Sequence, residues 1–249
     1  MALQQLPRIE RLDLAVLRLP AWHPEAAGSP TAPVYGYVID HPDGAIVFDT
    51  GVGADNEFID AVYAPDHLGL DDALHAVGIE LADVVAVVNS HLHFDHCGQN
   101  PLFYGSDVPC YVQQAELDAV ERDQFYTDPV WALAPTGQQR AVDGDLAIAE
   151  GVTIMATPGH TAGHHSVLVE SGEGCAVLAG QVVWHADEFR DERATAANVE
   201  AKERRGDAIE SIRRLKALRP QVVHFAHCSA LHADGAGEDA ELRLRSPRG

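Results

Sequence analysis

Four side chains able to bind a metal fall within the run His91-Leu92-His93-Phe94-Asp95-His96, in the order H-x-H-x-D-H. Neutral imidazoles and a carboxylate suit zinc and, less selectively, iron, manganese or cobalt. A divalent ion held by such a set brings the pKa of a bound water down towards neutrality. The hydroxide so formed can attack a carbonyl carbon, and a carboxylate beside it, here Asp95, can orient the water and then return a proton to the leaving group.

Such chemistry requires ligands fixed by rigid elements. The residues before the loop, Val84-Val85-Ala86-Val87-Val88-Asn89, are β-branched and apolar and predict a buried strand. The loop then leaves a strand's carboxyl end, where open α/β sheets place their sites. Upstream, residues 12–19, 33–39 and 45–48 read as strands, the last two joined by a turn at His41-Pro42-Asp43-Gly44. Residues 71–77 read as a short helix stopped by Gly78. Downstream, a strand at 108–112 leads into a helix at 113–122. Residues 123–140 show no clean periodicity and predict a long loop or irregular lid carrying Phe125, Tyr126 and Trp131. A second group of short strands follows at 146–148, 152–156, 166–169 and 176–179. Ile209, Ile212, Leu215 and Leu218 share one face of a helix at 207–218, before a last strand at 222–225. No hinge-like linker separates the two groups. A single domain over residues 1–232 is expected, with a polar, frayed tail at 233–249.

Bulk properties narrow the partners. The chain has 249 residues, 46% of them hydrophobic, enough to bury a sizeable core. Its formal net charge of -21 disfavours nucleic acid and anionic lipid as partners. No apolar run is long enough to span a membrane. The stretch from Met1 to Arg8 has no basic segment followed by an apolar core, which predicts no signal peptide. Cys97, Cys110, Cys175 and Cys228 form no CxxC pair, so a disulfide framework is not expected and the cytoplasm is the default compartment. Fourteen histidines is an excess that fits a metal site.

Five segments together resemble the metallo-β-lactamase superfamily. They are Val47-Phe48-Asp49-Thr50-Gly51, the His91 to His96 loop, Thr157-Pro158-Gly159-His160-Thr161-Ala162-Gly163-His164, Leu178-Ala179-Gly180-Gln181 and Phe225-Ala226-His227-Cys228. The resemblance implies an α/β fold, an αββα sandwich with the metals at one edge of the paired sheets. It assigns His91, His93 and His160 to a first metal and Asp95, His96 and His227 to a second. His224 competes with His227, but it lies inside the apolar strand whereas His227 sits past its end. Asp49 would orient a ligand from behind. His164 and His165 read as supporting or core residues. One or two zinc ions are implied, or another divalent metal.

Within the superfamily the chain is most similar to the N-acyl homoserine lactone lactonases. Val34-Tyr35-Gly36-Tyr37-Val38, Ser90 to Gly98 and Thr157 to Ser166 carry this likeness. It implies opening of a lactone or ester by metal-bound hydroxide, with a small acyl substrate, a homodimer as in relatives, and quorum-signal degradation among the roles such chemistry serves. Two positions depart from that pattern. The aspartate that bridges two metals in relatives is Gln181 here, which keeps one carbonyl oxygen but loses a full charge, so that the second metal site is either weakened or sustained by the remaining ligands. A tyrosine that contacts the substrate carbonyl in those lactonases is replaced by Trp184, an N–H donor or a wall of an apolar pocket with Phe125, Tyr126 and Trp131. Cys97, Cys228, His185 and Asp187 are further candidate groups at the altered site. Two alternatives remain open: a thioester hydrolase of the glyoxalase II type, and a catalytically impaired, metal-stabilised ligand-binding protein.

Overall fold

The computed structural model describes residues 5–123, 127–135, 137–196, 198–199 and 201–233. The first half of the chain builds one sheet from β1 (Arg8–Arg18), β2 (Thr31–His41), β3 (Gly44–Phe48), β4 (Asp66–His67), β5 (Val84–Val88), β6 (Cys110–Gln113) and β7 (Gln139–Val142). Their order in the sheet is β4-β1-β2-β3-β5-β6-β7. The second half builds another from β8 (Leu146–Ala149), β9 (Val152–Ala156), β10 (His165–Ser171), β11 (Gly174–Leu178), β12 (Val222–His224) and β13 (Leu231–His232), in the order β13-β12-β11-β10-β9-β8. Both sheets are mixed: β3, β5, β6 and β7 run parallel, as do β11 and β12.

The period-2 alternation of side chains explains why the sheets stack. Tyr37 and Ile39, Ile46 and Phe48, Ala86 and Val88 point from the first sheet to a shared core with Ile154, Val167, Val169 and Leu178 of the second. Val38, Val47 and Val87, between them in sequence, point the other way, into a core completed by Leu70, Leu74 and Val120 of the covering helices. On the far side of the second sheet, Leu168 and Val177 pack with Ile212 and Leu215 of the helix Arg205–Ala217. Helices, sheet, sheet and helices are therefore layered in the expected αββα order. At about 25 cal/mol per Å² of apolar surface removed from water, these three cores supply most of the favourable folding term.

Most elements match their sequence-based expectation to within a few residues, including the 207–218 helix and the strand before the histidine loop. The exception is the segment 123–140. Phe125 and Tyr126 lie outside the described residues. Pro129–Ala132 is a short helix whose first turn is capped by the Asp128 side chain accepting from the Val130 N–H, and Gln139–Val142 is the edge strand β7. Trp131 corrects the pocket-wall expectation: it is 6% exposed and belongs to the core under the first sheet, with Leu92 and Cys97. The short pieces Glu57–Tyr63, Asp66–His67, Ala186–Asp191 and Leu231–His232 were not anticipated from the sequence. Of the tail, residues 234–249 lie outside the described residues.

Candidate metal centre

The carboxyl ends of β3, β5, β9, β11 and β12 meet at one end of the sandwich, and every expected ligand lies in the segment that follows one of them, Asp95 and His96 on the short helix Phe94–Cys97. The two sheets are tied there by Tyr37, whose hydroxyl donates to the Phe225 carbonyl at 2.6 Å, and by the Tyr35 N–H, which donates to the Ala226 carbonyl. Gly98 allows the histidine loop to lie against the loop after β3: a Cβ there would come within 1.8 Å of the Gly53 nitrogen.

Two triads result. His91, His93 and His160 offer one ligand atom each, all within 4.8 Å of one another, and Asp95, His96 and His227 do the same. The triads adjoin, with the His91 and His96 ring centroids 4.0 Å apart. His224 stays outside, its ring 5.0 Å from that of Tyr37. Nor do the other suggested groups join. His185 pairs with Glu25 at 2.9 Å and Asp187 with Arg193 at 2.7 Å. The Cys97 thiol donates to the Leu92 and His93 carbonyls, and burial pushes the Cys228 thiol up to about 12.

The far nitrogen of the ring is oriented in each of four ligand imidazoles, which fixes the tautomer and aims the other nitrogen inward. His160 Nδ1 donates to the Asn198 carbonyl at 2.6 Å and His227 Nδ1 to the Pro33 carbonyl at 2.8 Å. His96 Nδ1 donates to Asp49 Oδ2 at 2.8 Å. Ser90 donates its hydroxyl to the same carboxylate oxygen and so accepts from His91 Nδ1 at 3.0 Å. That leaves His91 Nε2 buried without a hydrogen-bond partner. A buried orphan of this kind costs about 1–3 kcal/mol unless something else satisfies it. Around the second triad, His96 Nε2 and His227 Nε2 converge with Asp95 Oδ2 and Gln181 Oε1 at 3.1–3.7 Å. With His96 neutral, four lone-pair atoms would face one point and repel unless a cation, a proton on His96 Nε2 or a metal ion, lies among them. The residues present therefore fit a divalent metal at each triad.

Burial, then the neighbouring histidines, hold His91 and His160 well below the ordinary imidazole range. Burial would also lower His96, but Asp95 and Asp49 outweigh it and raise the group to about 9. Burial would raise Asp95, but His96 and His227 more than offset it and keep the carboxyl low. Asp49 performs its task from a left-handed backbone conformation, φ 62°, and accepts the Ser90 N–H as well. A residue without glycine's freedom holds such a φ only where its surroundings impose it.

Trp184 stacks its ring on His227 at 4.6 Å and 24°. His23, from the β1–β2 loop, packs on Trp184 in turn at 5.0 Å, so two rings are stacked over His227 of the second triad. Sequence reasoning missed His23, whose only signal was the histidine excess. It also missed Glu116, fully buried on the helix Gln114–Arg122. Glu116 accepts from the Leu92 N–H at 3.0 Å, the Thr161 hydroxyl at 2.6 Å and the Gly163 N–H at 3.0 Å, clamping the His91 loop to the His160 loop. The available signal was a carboxylate one helical turn before the buried Val120, on the apolar face.

His164 is a support. Its Nδ1 donates to the Thr157 carbonyl and its Nε2 accepts the Gln181 N–H at 3.1 Å. His165 is fully buried with neither ring nitrogen hydrogen-bonded, and burial depresses it from 6.5 to about 3. The unfolded chain takes up this proton first, so stability is lost as pH falls from about 6.5 towards 3, by about 1.4 kcal/mol per pH unit. His165→Leu is expected to flatten the pH dependence of urea stability by about that slope between roughly pH 6 and pH 4. An unchanged slope would contradict the neutral, buried state.

Comparisons with known proteins agree with this geometry. Residues 30–227 match the family model described as the metallo-beta-lactamase superfamily. The chain belongs to the metallo-beta-lactamase superfamily. It is 30% identical over 210 residues to an N-acyl homoserine lactonase of Bacillus sp, covering 78% of this chain and 81% of that one. A second lactonase, from Bacillus cereus, matches at 30% over 211 residues. Among solved structures, an N-acyl homoserine lactone hydrolase with its product N-hexanoyl-L-homoserine at the catalytic metal centre superposes with a TM-score of 0.70 at 25% identity, covering 91% of this chain and 94% of that one. A probable metal-dependent hydrolase from Staphylococcus aureus, 16% identical, shares the superfamily fold with a TM-score of 0.75 and covers 96% of this chain and 97% of that one. Among the described residues no helix is long and apolar enough to cross a membrane.

Proposed function

We propose that this chain is a metal-dependent hydrolase that opens the ring of an N-acyl homoserine lactone or a similar acyl lactone. The observation that carries the reading is the pair of adjoining ligand triads, four of whose five imidazoles are aimed inward by a partner of their own. His91, His93 and His160 would hold one divalent ion, and Asp95, His96 and His227 with Gln181 Oε1 a second, zinc being the metal the donor set suits best. Bound there, the metal supplies Lewis acidity and an activated water.

The protein's own groups do the rest. Asp95 is a carboxylate at neutral pH and lies at the junction of the triads. It orients the attacking water, takes its proton at the carboxylate oxygen that does not face His96 and His227, and returns it to the ring oxygen as the alcohol leaves. Trp184 and His23 keep bulk water from the second triad and wall the side on which the lactone ring would lie. A row of aromatic rings leads away from the centre: Phe94 beside His93, Tyr63 at 4.7 Å from Phe94, and Trp22 at 6.4 Å from Tyr63 and 69% exposed. An apolar row of this kind, half-buried at Phe94 and Tyr63 and exposed at Trp22, suits an acyl chain.

The test is a substrate panel followed by proton release: N-acyl homoserine lactones of increasing chain length, simple aliphatic lactones, aryl esters and acyl thioesters. The reading expects kcat/KM to be highest for acyl lactones and to rise with chain length, by up to roughly tenfold for each pair of methylenes buried. Thioesters hydrolysed faster than every lactone would favour the glyoxalase II type of reaction instead.

A further inference from the structure

Gln181 sits where a charged oxygen would be needed if one side chain were to serve both triads. It is 5% exposed and held along its length. Its N–H donates to His164 Nε2, and its carbonyl accepts from Asn198 Nδ2 at 3.2 Å. Its side-chain Oε1 is 3.1 Å from His96 Nε2 and 3.2 Å from His227 Nε2, both in the second triad. Among the described residues it makes no hydrogen bond to His91, His93 or His160. Gly180, at φ 57°, sets this register: a Cβ there would lie 2.7 Å from the Ser90 Cβ.

We propose that this oxygen belongs to the second triad alone, so that no protein group bridges the centre and two metal ions bind it with strongly unequal affinity. The inference rests on the metal-hydrolase reading above. The first ion enters at His91, His93 and His160, where His91 Nε2 has no hydrogen bond to give up and the one contact displaced is that of His160 Nε2 with His93 Nδ1 at 3.1 Å. The second must displace the contacts of His96 and His227 with Gln181. It must also bind beside a dication already in place, with Asp95 as the one anionic ligand among the seven side chains. A neutral amide oxygen does not offset repulsion between two dications as a shared carboxylate would.

The experiment titrates metal-free protein with Zn²⁺ against a competing chromophoric chelator. Wild type is expected to take one equivalent tightly and a second roughly 100-fold more weakly. Gln181→Asp, which supplies a charged carboxylate on a side chain one methylene shorter, is expected to narrow the gap to below about tenfold. Two equivalents of equal affinity in the wild type, or an unchanged gap in folded Gln181→Asp, would overturn the proposal. If Gln181→Asp does not fold, Asp95→Asn decides: it should keep the tight equivalent and lose the weak one, and loss of the tight one overturns the assignment. Unequal metal binding without lactone turnover would reject the substrate reading and leave this inference standing. Equal binding with turnover would do the reverse.

Discussion

His160→Ala is expected to strip the tightly held metal from the first triad and to lower kcat/KM on an acyl lactone by roughly 10³-fold or more. Lewis-acid stabilisation supplies several kcal/mol, and each 1.36 kcal/mol is about a factor of ten in rate. The ligand is singled out because its orientation is over-determined. The Asn198 carbonyl holds its Nδ1 at 2.6 Å, and its Nε2 lies 3.1 Å from His93 Nδ1, facing the orphaned His91 nitrogen. His224→Ala is the matched control, since that ring packs on Tyr37 outside both triads, and it should stay within about threefold of wild type in metal content and rate. Metal analysis and steady-state kinetics on the two variants check this. A His160→Ala protein that keeps its metal would contradict the assignment of the first triad.

Glu116→Ala is expected to cost about 3–5 kcal/mol of stability, although Glu116 belongs to neither triad. Hydrogen bonds to a buried charge contribute about 1.5–3 kcal/mol each, and removal leaves three donors unpaired in the interior. The donors lie on Leu92, Thr161 and Gly163, so the same change unpins the loop of His91 and His93 from that of His160. A fall in Tm of roughly 10 °C or more should follow, together with weaker retention of the first metal. Glu116→Gln keeps one acceptor oxygen and should recover part of both. Urea or thermal unfolding with metal analysis measures the pair. Loss of stability without any effect on metal retention would show that Glu116 is a core residue and not a clamp.

How much of this was legible in the chain follows from the range of each signal. The strand over 84–88, the helix over 205–217 and the two successive groups of strands were legible, because alternation and 3.6-residue periodicity are local and the apolar faces are continuous. All six members of the two triads were legible, because they sit in two dense motifs and one strand end. The supports were not. The Asn198 and Pro33 carbonyls orient His160 and His227, yet lie 38 and 194 residues from them. A backbone carbonyl has no side-chain signature. Trp131 was misplaced for a related reason: an aromatic residue in an aperiodic segment reads as a lid, whereas it fills the gap beside Gly53 under the histidine loop. Gln181 was recognised as a departure, but only the positions of His96 and His227 show which side of the centre its oxygen serves.

The most direct test of the central claim is metal content per chain and acyl-lactone ring opening measured on one sample, before chelation, after chelation and after Zn²⁺ is returned. The proposed function predicts bound metal in the isolated protein, loss of ring opening in step with its removal, and recovery on re-addition. Ring opening that persists in metal-free protein would contradict it.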